Sequence, residues 1–237
     1  MNLRGGVIII GSLLWDNNSR KSWRDNHLSL EDKFQVYLPI RYGRLSCGRK
    51  RKNTYTMVFS NECGDKDMLG KGWVIPIKSK IDSPEALETE ARAMGEAEGF
   101  SGPLCTSWGS VALLLNPKKE IPKEIKEKWV ELLSSNKEDL KCLVNTHIDG
   151  EKPVIDSNGV LNIDWPKEVC PNNDIDKYDL LIATVTKPTL DKGKYATPKQ
   201  ITDEMNNTGY YKYFYKNREN GITTFQDSDI LQNIKNV

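Results

Sequence analysis

The longest apolar run in the 237-residue chain, Val7 to Trp15, is interrupted by Gly11 and Ser12. Val7 to Ile10 are strand-forming residues, so 7–14 reads as a buried strand that runs into a glycine turn. A membrane-spanning helix needs ~20 apolar residues, which excludes this run as a span. Arg4 precedes it, but no small-x-small cleavage site follows, so a secretory leader is not expected.

Further along, 34–45 is extended, with Pro39 marking an edge or a bulge, and 54–60 and 72–78 are further strands. Ser83-Pro84-Glu85 opens a helix with an N-cap, a proline at the first position and an acid in the first turn. It runs to about Glu98 and stops at Gly99, suited to a left-handed position after a helix. A strand follows at 111–115, an amphipathic helix at 122–134 and a strand at 178–186. Thr197, Pro198 and Gln200 then form a capping box for a helix ended by Gly209. Strands dominate the first half, which gives an α+β chain with a mixed sheet. The expected division is a core over 1–120 and a helical and strand extension over 121–237, with the polar stretch 149–177 as the natural break.

Composition bounds the function classes. There are 34 Lys and Arg against 33 Asp and Glu, a formal charge of +1, so the chain is not a globally basic nucleic-acid binder. The five cysteines are odd in number and contain no Cys-x-x-Cys pair, which supports neither a zinc ribbon nor a disulfide framework. A reduced, cytoplasmic protein is the economical expectation.

Two segments carry chemistry. A strand that ends in Gly11-Ser12-Leu13 presents successive backbone N–H groups, which can hold an anion or an oxyanion; the same residues also suit an ordinary strand-to-loop turn. On the 84–98 helix, Leu87, Ala91 and Met94 form one stripe whose next member is Glu98. A carboxylate that continues an apolar face at a helix C-terminus is pushed toward neutrality by desolvation and by the helix dipole, as a general acid/base requires. Glu90, at the stripe's edge, and Glu96, on the opposite side, compete for that role, and an early helix end at Gly95 would leave Glu98 solvated.

Together these segments resemble the γ-glutamylcyclotransferase-like family. Its first motif is typically Tyr-Gly-Ser-Leu, often followed by an apolar residue and Trp, and Gly11-Ser12-Leu13-Leu14-Trp15 is similar to it. Ala97-Glu98-Gly99 resembles the segment bearing the family's catalytic glutamate, and Arg41-Tyr42-Gly43-Arg44 its second strand. The resemblance covers roughly 7–116, and Ile10 stands where the family carries Tyr. It implies a small mixed β-barrel flanked by helices, with a C-terminal extension. It implies also an intramolecular reaction, in which the α-amine of a small γ-glutamyl substrate attacks its own side-chain amide carbonyl and releases 5-oxoproline and an amine. Glu98 would carry the proton, and Gly11, Ser12 and Leu13 would hold the substrate. Arg41 or Arg44 would bind a substrate carboxylate if they do not simply face solvent. No metal or cofactor is required, since the nucleophile is part of the substrate. The alternative is a non-catalytic pocket for an amino-acid-like ligand, which Ile10 favours.

Other signals are weaker. The basic run 48–53 and the aromatic-basic stretch Tyr210 to Arg218 could track a nucleic-acid backbone, but a solvated turn and an apolar docking segment explain them as well. Cys105, Asn145 and His147 supply thiol-protease residue types without the spacing. His27 and His147 do not have metal-ligand spacing. Gly64 to Lys71 fails as a phosphate loop, and Ser12 does not lie in Gly-x-Ser-x-Gly.

Overall fold

In the computed structural model, which describes residues 1–48, 51–146, 148, 150–171 and 175–235, every residue of the first strand is buried. That strand, β1 (Gly5–Ile9), is followed by α1 (Ser19–His27), β2 (Phe34–Leu38), β3 (Ile40–Gly48), β4 (Arg51–Phe59), β5 (Gly70–Pro76) and α2 (Pro84–Glu98). Next come β6 (Cys105–Thr106), β7 (Gly109–Leu115), α3 (Lys123–Leu133), α4 (Lys137–Val144), β8 (Lys167–Glu168) and β9 (Leu180–Thr186). The chain closes with α5 (Pro198–Thr208), α6 (Lys212–Glu219) and α7 (Asp227–Lys235).

A strand buried on both faces must lie inside a sheet with cover on each side. β1 does, in a seven-stranded sheet of order β6-β7-β9-β1-β5-β2-β8. It pairs antiparallel with β5 (Ile8 opposite Val74) and parallel with β9 (Ile8 opposite Ala183); the other pairs in this sheet are antiparallel. The α+β class is therefore as expected. The closed barrel is not: among the described residues no pairing joins the β6 edge to the β8 edge. β3 and β4 form a separate two-stranded sheet.

Pro39 explains that separation. The extended stretch 34–45 divides there, β2 joining the large sheet and β3 turning into the hairpin, because proline has no N–H to continue a ladder. The hairpin has a register shift between Tyr42 and Arg44, a bulge that re-aims the residues after it.

The division at residue 120 does not follow the sheet. β9, from the C-terminal half, separates β1 from β7, and Leu180 to Ala183 are fully buried. The polar stretch 149–177 is likewise anchored, since Asn61 donates to the Lys152 and Asn162 carbonyls and β8 pairs with β2.

Candidate active site

β1 stops at Ile9, earlier than the 7–14 strand expected, and the chain then coils through a tight turn. Leu14 N–H donates to Gly11 O at 3.0 Å and Asp16 N–H to Ser12 O at 2.9 Å. Among the described residues the Ser12 and Leu13 N–H groups donate to no backbone acceptor. Gly11 does not adopt positive φ. Its glycine is required by close approach instead: a Cβ there would lie 2.5 Å from the Tyr213 hydroxyl.

Two buried arginines one helical turn apart on α1 hold this loop. Arg24 donates to Leu13 O at 2.6 Å and Asp16 O at 2.9 Å, and reaches Asn17 Oδ1 at 2.9 Å. Burial presses its guanidinium below the usual arginine value. Arg20 donates through Nε to Ala97 O at 3.1 Å and through Nη1 to Ser12 Oγ. Its Nη2 lies 3.6 Å from Glu98 Oε2. One side chain therefore ties the glycine turn to the end of α2.

α2 forms as its sequence requires. Ser83 accepts from Ala86 N–H at 3.2 Å, Pro84 starts the helix, and Gly99 ends it at φ 103°. Leu87, Ala91 and Met94 are wholly buried, and Glu98 continues their stripe to a cavity wall. The three competing glutamates are thus separated. Glu96 is exposed, and Glu90 is buried in a 2.9 Å pair with His27 Nδ1. Only Glu98 of the three lines the cavity.

That cavity encloses about 190 Å³. The turn Gly11-Ser12-Leu13 and Arg20 form one side with Glu98, and the hairpin adds Arg44, Ser46, Thr56 and Met57. Trp108, Thr184, Thr186 and Tyr213 complete it. The Arg44 guanidinium stacks 4.6 Å from the Trp108 ring centroid. Burial lowers its pKa, opposed first by the nearby Glu98 charge. Tyr213 accepts from Met57 N–H at 3.3 Å, and burial pushes its hydroxyl above the usual phenol range, so it remains a proton donor at physiological pH. The chamber is lined by two arginines, the Gly11-Ser12-Leu13 turn, hydroxyl-bearing residues and one glutamate, a lining suited to a small polar molecule bearing negative charge.

Of the residues singled out from sequence, Gly11, Ser12, Leu13, Arg44 and Glu98 come together here. Arg41 does not. It stacks 4.2 Å from the Tyr195 ring centroid and 5.5 Å from that of Phe225, and pairs with Glu62, away from the cavity lining. Arg20, Trp108 and Tyr213 were not anticipated. The sequence signal for Arg20 is local: Asn18 caps α1 by accepting from Arg20 N–H, and Asp16 precedes it by four positions. Tyr213 carried no such signal.

The competing signals recede. Tyr213 and Phe214 are buried in the core, so this stretch does not offer them for base stacking. Arg49 and Lys50 of the basic run lie outside the described residues, as does His147. Cys105 is buried, and burial pushes its thiol up to about 11, the reverse of an activated nucleophile. Among the described residues no cluster has metal-ligating composition, and no helix is long and apolar enough to cross a membrane. No family model, curated protein or solved structure matches the chain.

Proposed function

We propose that this cavity is the active site of a γ-glutamylcyclotransferase-like enzyme built on a relative of that family's fold, with Glu98 as its general acid/base. The observation that carries the reading is the joining of Gly11-Ser12-Leu13 and Glu98 at one cavity through Arg20. The two segments that together resemble the family lie 82 or more positions apart in sequence and meet at one cavity wall.

In the proposed reaction the substrate α-ammonium gives a proton to Glu98. The freed amine then attacks the γ-carbonyl carbon, forming the ring C–N bond. Charge develops on the carbonyl oxygen, where the Ser12 and Leu13 N–H groups provide donors. The exocyclic C–N bond breaks as Glu98 hands its proton to the leaving amine and takes the second proton from the ring nitrogen, which it then releases to solvent, giving 5-oxoproline and a free amine. Arg44 on its Trp108 platform provides a partner for a substrate carboxylate.

The test is incubation with a panel of γ-glutamyl peptides and amines, scoring 5-oxoproline by mass spectrometry. Glu98→Gln is expected to reduce turnover by about 10²-fold or more while leaving the thermal midpoint and ligand-induced shift near wild type. Normal turnover by Glu98→Gln overturns the assignment of the base. A second reading, binding without turnover, is favoured by Ile10 at the family's tyrosine position and by the Glu98–Arg20 ion pair. It predicts thermal shifts with γ-glutamyl compounds and no 5-oxoproline from any of them.

A further inference from the structure

A larger groove, about 680 Å³, opens between the 61–69 loop and the 162–168 segment beside the β2–β8 edge. It shares no lining residue with the Glu98 cavity. Its size is that of a small-molecule site. Tyr37, Leu69, Trp165 and Pro166 supply apolar and flat aromatic surface. Three exposed lysines, Lys66, Lys152 and Lys167, stand around it. None of them has a carboxylate within ion-pair distance among the described residues. Of the two acids that also line the groove, Glu168 is engaged by the Ile175 N–H, and Asp164 is exposed. Three lysines against these two carboxylates leave the lining with a modest positive excess beside its apolar residues.

A third observation sets this groove apart. The Trp165 indole N–H is buried and has no hydrogen-bond partner among the described residues. A covered donor left without an acceptor is destabilising and uncommon, and it makes the wall that carries it receptive to an acceptor from outside.

We propose that this groove binds a small organic anion with a flat apolar body. The ring system would lie against Tyr37 and Trp165, the lysines would receive the anionic group, and a turn of the Trp165 ring would give its N–H an acceptor. The proposal does not depend on the reaction assigned to Glu98.

The probe is 1-anilinonaphthalene-8-sulfonate, compared with uncharged N-phenyl-1-naphthylamine on the full chain. Saturable one-to-one binding of the anion is expected, weakening with added salt, with the neutral analogue roughly tenfold weaker. The triple variant Lys66→Gln, Lys152→Gln, Lys167→Gln should lose a similar factor, with an unchanged melting temperature reporting that it folds. In ¹H–¹⁵N spectra the indole N–H resonance missing from Trp165→Phe should move on titration of wild type and saturate with the fluorescence. Equal binding of the neutral analogue, full binding by the folded triple variant, an unmoved Trp165 resonance or the absence of saturable binding each overturns the proposal. If the triple variant does not fold, the salt dependence, analogue comparison and Trp165 resonance in wild type decide it.

Discussion

Gly11 and Tyr213 meet so closely that each constrains what the other position can hold. Gly11→Ala would set a methyl group 2.5 Å from the hydroxyl, whereas the next nearest atom of the ring, Cζ, is 3.6 Å away, an ordinary contact. Tyr213→Phe removes the obstructing oxygen and leaves the Met57 N–H without its acceptor, a loss of about 1–3 kcal/mol in stability. Each single change is expected to lower 5-oxoproline production. Adding Gly11→Ala to Tyr213→Phe should then do less damage than adding it to wild type, read as a coupling energy from chemical denaturation. The glycine was legible in sequence, but its reason was not. That reason, the approach of the Tyr213 hydroxyl, belongs to a residue near the other end of the chain. Trp15 shows the same separation, donating at 2.7 Å to Asn217, 202 positions away.

At the scale of the element, α2 is the part that sequence rules reached most fully. Ser83, Pro84 and Gly99 mark both its ends because capping chemistry is local, and its stripe leads to Glu98 because helix periodicity is local as well. The two caps are a matched pair for experiment. Ser83→Ala and Gly99→Ala should each cost about 1 kcal/mol in thermal or denaturant unfolding. Only Gly99→Ala should also reduce turnover beyond its effect on stability, since the strained residue would adjoin Glu98. Equal activity in the two variants would show that the last turn of α2 does not position the carboxylate. The hairpin was less legible. Arg41 and Arg44 are three apart on one strand, yet the shift in pairing after Tyr42 and the packing of Tyr195 and Phe225 send them to different surroundings. Neither the bulge nor those distant aromatics leaves a mark in the local pattern.

Across the whole molecule, pairing between distant strands decides the architecture, and this is where sequence reading fell short. A boundary at 120 followed the reach of the family resemblance, but Leu180 to Thr186 is the strand that joins β1 to β7. Residues 1–120 alone are accordingly expected to lack a cooperative thermal transition and dispersed amide resonances. A folded fragment would show that β9 is dispensable. Buried thiols give a second test at this scale. Cys63 and Cys105 are each pushed from 9.0 up to about 11 by burial, so the folded state holds their protons more tightly than the unfolded chain does. Their contribution is fully present below pH ~9 and is lost as the pH rises toward ~11, on the order of 2 kcal/mol per thiol. At pH 8 an aromatic disulfide reagent should titrate the exposed Cys47, Cys142 and Cys170 first, with Cys63 and Cys105 reacting only on unfolding.

The parallel pairing of β1 with β9 also bears on how the chain is made. Val7, Ile8 and Ile9 leave the ribosome long before the strand that covers one side of them, which begins only at Leu180. At roughly 5–20 residues per second, that apolar edge stays unpaired for on the order of ten to thirty seconds. During that interval the nascent chain presents a sticky strand to anything nearby, so its yield in a cell should respond to translation speed and to the supply of holding chaperones.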